Sequence, residues 1–248
     1  MSGIAASRII MDALDKPRVA NLKGKTNLVT ETDHLSEKTI KSIIRGSFPD
    51  HSFLAEESGQ DLSKSDYLWI IDPLDGTTNF VHGYPSFAVS IALYYKNEPQ
   101  VAVIIEMPNT KLYSAIKGEG VWCEGQPISC SESDSLEKSL LVTGFGYEHG
   151  ELWEENMRLY KHFTDTTQGV RRLGAAAVDL CHVASGKVDG FWEFDLQPWD
   201  TAAGILIAQE AGCLVTQMNG SDYSIYDNNI LVTNPKIHIE MVKNIEDV

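Results

Sequence analysis

Two aspartates three residues apart, Asp72 and Asp75, end an apolar run, Trp69-Ile70-Ile71, and are followed at once by Gly76, Thr77, Thr78 and Asn79. The run reads as a buried strand, so both carboxylates emerge where water is scarce. At about 4 Å, two like charges repel by roughly 4 kcal/mol even at an effective dielectric of about 20. A proton, a basic side chain or a metal ion relieves such a pair. No Lys or Arg occurs between Tyr67 and Lys96, which makes a hard divalent cation the best local partner. Mg²⁺ prefers carboxylate, carbonyl and water oxygens. Asp72, Asp75 and the Leu74 carbonyl, on a turn stiffened by Pro73, can supply them. Gly76 permits close backbone approach to a ligand, and a helix opening at Thr77 would present free N–H groups suited to phosphate. The bland alternative is an Asx-turn that joins strand to helix and binds nothing.

Other acidic positions have the same double reading. Glu56 follows the apolar Phe53-Leu54-Ala55, with Glu57 beside it. Side chains alternate along a strand, so one glutamate can face a site while the other faces away. Asp200 stands at the start of a helical run, where Asp is also a standard cap. A carboxylate has lone pairs enough to cap and to ligate. Asp33, ahead of an earlier helical run, carries the same cap alternative. Gly174-Ala175-Ala176 also opens a helix, and its small side chains allow either ligand approach or tight packing.

Asp72-Pro-Leu-Asp-Gly-Thr-Thr-Asn-Phe80 resembles the first signature of the inositol monophosphatase family, magnesium-dependent and lithium-sensitive phosphatases. Trp199-Asp200-Thr201-Ala202-Ala203-Gly204 resembles that family's second signature, and Glu56-Glu57-Ser58 its upstream acidic motif. The three stand in the family's order, and the similarity runs from about Lys25 to the C-terminus. The resemblance implies a layered αβαβα sandwich. It implies two Mg²⁺ ions, one held by Glu56, Asp72 and the Leu74 carbonyl, the other by Asp72, Asp75 and Asp200, with a weaker third near Glu56. Catalytic roles fall on Asp33, Glu56 and Thr77, where Asp33 takes the Thr77 hydroxyl proton and Thr77 orients a water. Substrate contacts fall on Leu74, Asp75, Gly76, Thr77, Gly174, Ala175, Ala176, Glu193 and Asp200, the Gly76 and Thr77 amides taking the phosphate.

The implied reaction is hydrolysis of a phosphate monoester of a polyol or sugar. Thr77-Thr78-Asn79-Phe80 resembles the inositol-phosphatase branch, whereas nucleotide 3′-phosphatase relatives tend to carry Thr-Lys-Glu-Phe; inositol 1-phosphate is therefore the first expectation. Fructose 1,6-bisphosphate or a broad range of sugar phosphates is the alternative within the family. A non-catalytic, protein-binding regulatory role on the same fold is the alternative outside it. Relatives are commonly homodimers.

The elements that must position these residues follow from periodicity and breakers. Helices are expected over 4–14, 34–46, 151–163, 175–185, 201–211 and 237–245, with Thr32 or Asp33 capping the second and Asp15-Lys16-Pro17 stopping the first. Leu35, Ile40, Ile43 and Ile44 form the apolar face of the second. Residues 23–27 read as a loop. Strands are expected over 53–55 and 67–71, then as an antiparallel meander from Ser86 to Ser129, and over 140–143, 169–172, 188–194, 213–218 and 230–233. Gly118-x-Gly120 is a hairpin turn within the meander, and Gly212 closes a helix. The texture changes near Ser131 to Glu137. That suggests an N-terminal α+β half, 1–134, and a C-terminal α/β half, 135–248.

Bulk properties narrow the function classes. A chain of 248 residues, 43% hydrophobic, can bury a sizeable core. Its formal charge of −15 argues against a nucleic-acid-binding face. Cys123, Cys130, Cys181 and Cys213 make no Cys-x-x-Cys pair and read as free thiols in a reducing cytoplasm. The first residues lack the pattern of a signal peptide, and no run approaches the roughly 18 apolar residues of a membrane span. A soluble cytoplasmic protein is expected. His82, His149 and His182 have no zinc-type spacing. Trp69, Trp192 and Trp199 are expected to wall the site, and Arg171-Arg172 to be exposed charge, with contact to an anionic substrate or interface as the alternative.

Overall fold

The computed structural model describes residues 1–16, 18–22, 28–61, 65–146 and 149–248. The loop expected over 23–27 and the Pro17 stop lie outside these. Helix α1 (Ser2–Leu14) is followed by a short antiparallel pair, β1 (Ala20–Leu22) and β2 (Leu28–Thr30), and by α2 (Glu31–Ser47). Strands β3 (Ser52–Ala55), β4 (Gly59–Asp61), β5 (Tyr67–Asp75), β6 (Phe87–Tyr95), β7 (Glu98–Met107), β8 (Lys111–Ile116), β9 (Gly120–Cys123) and β10 (Gln126–Pro127) build an eight-stranded sheet. From β6 to β10 it is the expected antiparallel meander, which β5 extends by one strand; β3 joins β5 in parallel. The short helix α3 (Thr77–His82) lies between β5 and β6. A second sheet of five strands contains β11 (Leu140–Thr143), β12 (Gly169–Arg171), β13 (Gly190–Phe194), β14 (Leu214–Thr216) and β15 (Asn229–Thr233), in the order β12-β11-β13-β15-β14. The remaining helices are α4 (Glu151–Thr166), α5 (Ala176–Ala184), α6 (Pro198–Glu210) and α7 (His238–Asp247).

The layers follow from the period-two burial of the strands. In β5, Ile71 faces a cluster with Ala6, Ile10, Ile40 and Ile44 of α1 and α2, while Ile70 faces α5 and α6. In the second sheet, Val142, Phe191 and Val232 face α5 and α6, while Leu141, Trp192 and Leu231 face α4 and α7. The result is the αβαβα sandwich. Helix α6 is trapped between two sheets, and Ala202, Ala203, Ile205, Leu206, Ile207 and Ala208 are all buried, as an all-round apolar helix requires. Among the described residues no helix is long and apolar enough to cross a membrane.

Several boundaries differ from the sequence expectation for identifiable reasons. Helix α2 starts at Glu31, not His34, because extended Thr30 is its cap and its hydroxyl accepts the Thr32 N–H. Of its expected apolar face only Ile40 and Ile44 are buried, whereas Leu35 and Ile43 are exposed. Helix α6 starts at Pro198, a residue suited to a first helical position, so Asp200 lies inside the first turn. Strand β5 does not end at Ile71 but runs on through Asp75.

Candidate functional site

Regular alternation would send Asp72 and Asp75 to opposite faces of β5, because their separation is odd. The ladder breaks that rule. Asp72 stands opposite Ser90 and Asp75 opposite Ala88, so β5 holds one more residue than β6 over this step. Such a bulge re-aims side chains beside it, and both carboxylates line one cavity of about 980 Å³. Pro73 sits at the bulge, where a ladder N–H can be spared, and its carbonyl accepts from Ser36 Oγ at 2.8 Å. Asp72 Oδ1 accepts the Leu74 N–H at 2.9 Å. Asp75 Oδ2 accepts the Ala177 N–H at 2.7 Å, a bond across 102 positions of sequence that ties β5 to the start of α5.

Gly76 follows in the left-handed region at φ 81° and caps α3. A Cβ there would lie 2.9 Å from the Ser86 carbonyl oxygen, so only glycine fits the turn without a shift. Thr77 is then the first residue of α3, and its hydroxyl lies 2.9 Å from Asp33 Oδ1 and 3.0 Å from the Leu74 carbonyl. Asp33 is wholly buried behind the cavity. Its other oxygen accepts from the Thr30 N–H at 2.9 Å and the Thr30 hydroxyl at 2.5 Å. The cap and the site therefore share one carboxylate, an oxygen for each.

Glu56 continues the pairing of β3 with β5 through its N–H to the Ile71 carbonyl, 3.1 Å, and lines the cavity. Glu57 turns the other way. Its N–H meets Glu37 Oε2 at 2.8 Å, and it lines a separate cleft of about 520 Å³ along α2 with His34, Lys38 and Lys41. Asp200, third residue of α6, accepts the Gln197 N–H at 2.7 Å and still reaches the cavity wall. The start of α6 is docked on β6, with Ser90 Oγ 3.4 Å from the Trp199 carbonyl and Tyr94 Oη 3.3 Å from that of Ala202. Gly174, Ala175, Ala176 and Glu193 form the opposite rim. Every candidate residue except Asp33 lines this one cavity.

Its electrostatics are dominated by crowded acid. Burial, then the Glu56, Asp75 and Asp200 carboxylates, holds Asp72 well above the ordinary carboxylate range. Burial pushes Asp75 up to about 7 against the pull of the Ala177 N–H. Burial and Asp200 raise Glu193, with Arg172 opposing. Four carboxylates that repel one another, beside a carbonyl, suit a hard divalent cation in donor type and charge. Among the described residues no three His, Cys, Asp or Glu side chains are gathered into a ready-made cage. The acids share the cavity wall.

Further residues stand at or behind the cavity wall. Arg172 is exposed, as expected, and also reaches the rim as the one Lys or Arg lining the cavity among the described residues, where it could meet an anionic substrate. Gly144 lies so close to Glu193 that a Cβ there would stand 2.2 Å from a carboxylate oxygen. Asp179, in the first turn of α5, is fully buried with neither oxygen hydrogen-bonded, and burial followed by Glu193 and Asp75 raises it well above the carboxylate range. Of the three tryptophans only Trp199 walls the site. Trp192 is buried on the far side of the second sheet and donates to Asn156 Oδ1 at 2.6 Å; Trp69 donates to His51 Nδ1 at 3.0 Å. No local pattern marks Arg172 or Asp179, since both gain meaning only from the packing of α5.

Comparison with known proteins bears on this arrangement. A family model described as the inositol monophosphatase family matches residues 2–248. The chloroplastic phosphatase IMPL1 of Arabidopsis thaliana is 50% identical over 246 residues, covering 96% of this chain and 66% of that protein. The inositol-1-monophosphatase of Synechocystis sp. is 44% identical, covering 96% and 84%. The Nus factor SuhB of Pseudomonas aeruginosa is 38% identical, covering 98% and 92%. Among solved structures, the inositol monophosphatase from Anabaena (Nostoc) sp. superposes with a TM-score of 0.88 at 40% identity, covering 100% of this chain and 93% of that one.

Proposed function

Because the chain belongs to the inositol monophosphatase family of phosphatases, we propose that it hydrolyses the phosphate monoester of a polyol or sugar, inositol 1-phosphate first, with Mg²⁺ as cofactor. The observation that carries this reading is the buried Thr77 hydroxyl, 2.9 Å from Asp33 Oδ1, at the edge of the acid-lined cavity. Glu56, Asp72, Asp75, Asp200 and the Leu74 carbonyl would hold the cation. When bound, Mg²⁺ supplies positive charge to the phosphate and leaving oxygens and lowers the pKa of water.

The chain's own groups do the rest. Asp33 is an acceptor-only group once ionised, so the Thr77 hydroxyl donates its hydrogen bond to it. Thr77 Oγ1 then turns its lone pairs toward the cavity and accepts from a water, fixing that water's orientation. The Gly76 and Thr77 amides, at the start of α3, orient the phosphate. Glu193 and the small Gly174-Ala175-Ala176 rim admit the hydroxyl-bearing part and accept its hydrogen bonds.

Phosphate release from myo-inositol 1-phosphate, fructose 1,6-bisphosphate, histidinol phosphate and 3′-phosphoadenosine phosphate tests the reading, with and without Mg²⁺ and with added Li⁺. Turnover of the inositol ester that needs Mg²⁺ and falls with Li⁺ is expected. Metal-independent turnover, or none with any ester, overturns it. A homodimer belongs to the same proposal on the family resemblance, and light scattering checks it. A second, partner-binding role is favoured by one finding, the name Nus factor borne by the Pseudomonas relative. An Asp200→Asn variant that keeps a protein partner after losing turnover would support that role.

A further inference from the structure

Asn79 lies in the first signature but outside the cavity. Its amide nitrogen donates to the Ser86 carbonyl at 2.7 Å and to the Leu173 carbonyl at 2.7 Å, with the Gly174 carbonyl at 3.3 Å. A primary amide has two N–H groups, so the two short bonds use both and the third is shared. The three carbonyls belong to segments far apart in sequence. Ser86 leads into β6, while Leu173 and Gly174 form the turn that opens α5.

The same groups surround Gly76. A Cβ there would meet Ser86 O at 2.9 Å, Ala175 Cβ at 3.1 Å and Gly174 O at 3.3 Å. The turn bearing the Gly76 and Thr77 amides thus abuts the turn bearing Gly174 and Ala175, and Asn79 grips both sides of that seam. On the other flank, Asp75 holds the Ala177 N–H. Gly174, at φ 85°, would carry a Cβ 2.8 Å from Arg172 Nη1 and 3.2 Å from Asn79 Nδ2, so a side chain there would be strained by its backbone and would crowd the clamp.

We propose that Asn79 is a positioning residue that sets the spacing between the phosphate-holding turn and the polyol-holding turn. This rests on the phosphatase reading given above. A polyol phosphate must engage both turns at once, and the reacting phosphorus is placed by the pair. An aryl phosphate such as para-nitrophenyl phosphate engages the Gly76–Thr77 turn and makes no use of the spacing. Asn79 therefore governs discrimination between them without touching either.

The test measures kcat/KM for myo-inositol 1-phosphate and para-nitrophenyl phosphate in wild type, Asn79→Ala and Asn79→Gln, each checked by thermal melting. In Asn79→Ala the inositol-to-aryl ratio should fall about tenfold or more, since a misplacement near 1 Å costs on the order of a hundredfold. Asn79→Gln, which keeps the donating amide, should restore part of the ratio. A ratio unchanged in Asn79→Ala overturns the proposal, and so does an equal loss on both substrates. If Asn79→Ala does not fold, the ratio in Asn79→Gln decides by the same criterion, lowered supporting the clamp and unchanged refuting it. Amide hydrogen exchange over residues 173–177 gives a readout without substrate, with faster exchange in the folded variant supporting the clamp and wild-type rates overturning it. Should the wild type hydrolyse neither ester, the phosphatase reading fails while the exchange data still decide the role of Asn79.

Discussion

Asp33→Asn is the sharpest perturbation available, because one carboxylate serves two ends. Oδ1 faces the Thr77 hydroxyl at 2.9 Å, and Oδ2 faces the Thr30 N–H and hydroxyl at 2.9 and 2.5 Å. An amide has one acceptor oxygen and one donor nitrogen, so it cannot satisfy both sides. With its oxygen toward Thr30 the cap of α2 survives, but the NH₂ then meets Thr77 and forces the hydroxyl proton toward the Leu74 carbonyl, 3.0 Å away. Turned round, the amide keeps Thr77 and sets a donor against the Thr30 N–H. The first arrangement forfeits the orienting relay, a class of effect worth about 10²–10⁴ in rate. The second loses a cap, roughly 1 kcal/mol, or some 2–4 °C in a protein of this size.

Asp33→Asn should therefore lower kcat about a hundredfold or more, with KM nearly unchanged and a loss in Tm of a few degrees. Phosphate release with saturating Mg²⁺ and a circular-dichroism melt measure the two. Thr77→Ser, which keeps the hydroxyl, should retain most activity. In a double-mutant cycle, adding Asp33→Asn to Thr77→Ala should cost little more, because the pair acts as one unit. Full additivity, or wild-type kcat in Asp33→Asn, would show that the relay contributes nothing.

Three further outcomes are expected. Mg²⁺ should raise the melting temperature, since it offsets the burial and the carboxylate repulsion that raise Asp72, and at about 100 times its dissociation constant it should add roughly 2.7 kcal/mol; Asp75→Ala should lose both that shift and turnover while remaining folded. Gly76→Ala places a Cβ 2.9 Å from the Ser86 carbonyl at φ 81°; it should cost about 1–3 kcal/mol in denaturant titration and reduce kcat. Glu106 gives a pH signature away from the site. Burial alone would raise its carboxyl, but the His182 hydrogen bond, Lys187 and the Tyr113 hydroxyl outweigh that and hold it at about 2. A depressed acid stabilises the fold above its unfolded pKa and loses that contribution as pH falls through the folded one. Stability should thus decline between about pH 4.5 and 2, by up to roughly 3 kcal/mol, and Glu106→Gln should flatten that limb.

Much of the layer structure was legible because apolar periodicity is a local record of burial. Ile70 and Ile71 already announce a buried strand, and the run after Thr201 announces a helix, whose burial between two sheets the fold then supplies. The Glu56-Glu57 pair divides as expected, one toward the cavity and one toward α2, although both lie in the turn just past β3. Legibility failed where a local pattern has two solutions. Leu35 and Ile43 match a helical stripe yet point to solvent, because the eight-stranded sheet meets only the Ile40 and Ile44 side of α2. Trp192 follows Phe191 by one position, and that single step sends it to the opposite face of β13, away from the site.

What the amino-acid order determined by itself was the inventory: acids at strand ends and helix starts, glycine at the turn, and elements long enough to bury their faces. Their convergence was decided by the folded chain. A strand's alternation separates Asp72 from Asp75, and only the register of β6 against β5 inserts the residue that reunites them. Asp75 finds the Ala177 amide, Asn79 the Leu173 carbonyl, and Arg172 the cavity rim because α5 is pressed between two sheets. Periodicity speaks for neighbours a few positions apart. The meeting of groups a hundred positions apart is set by which surfaces exclude water together, and that is a property of the whole packed molecule.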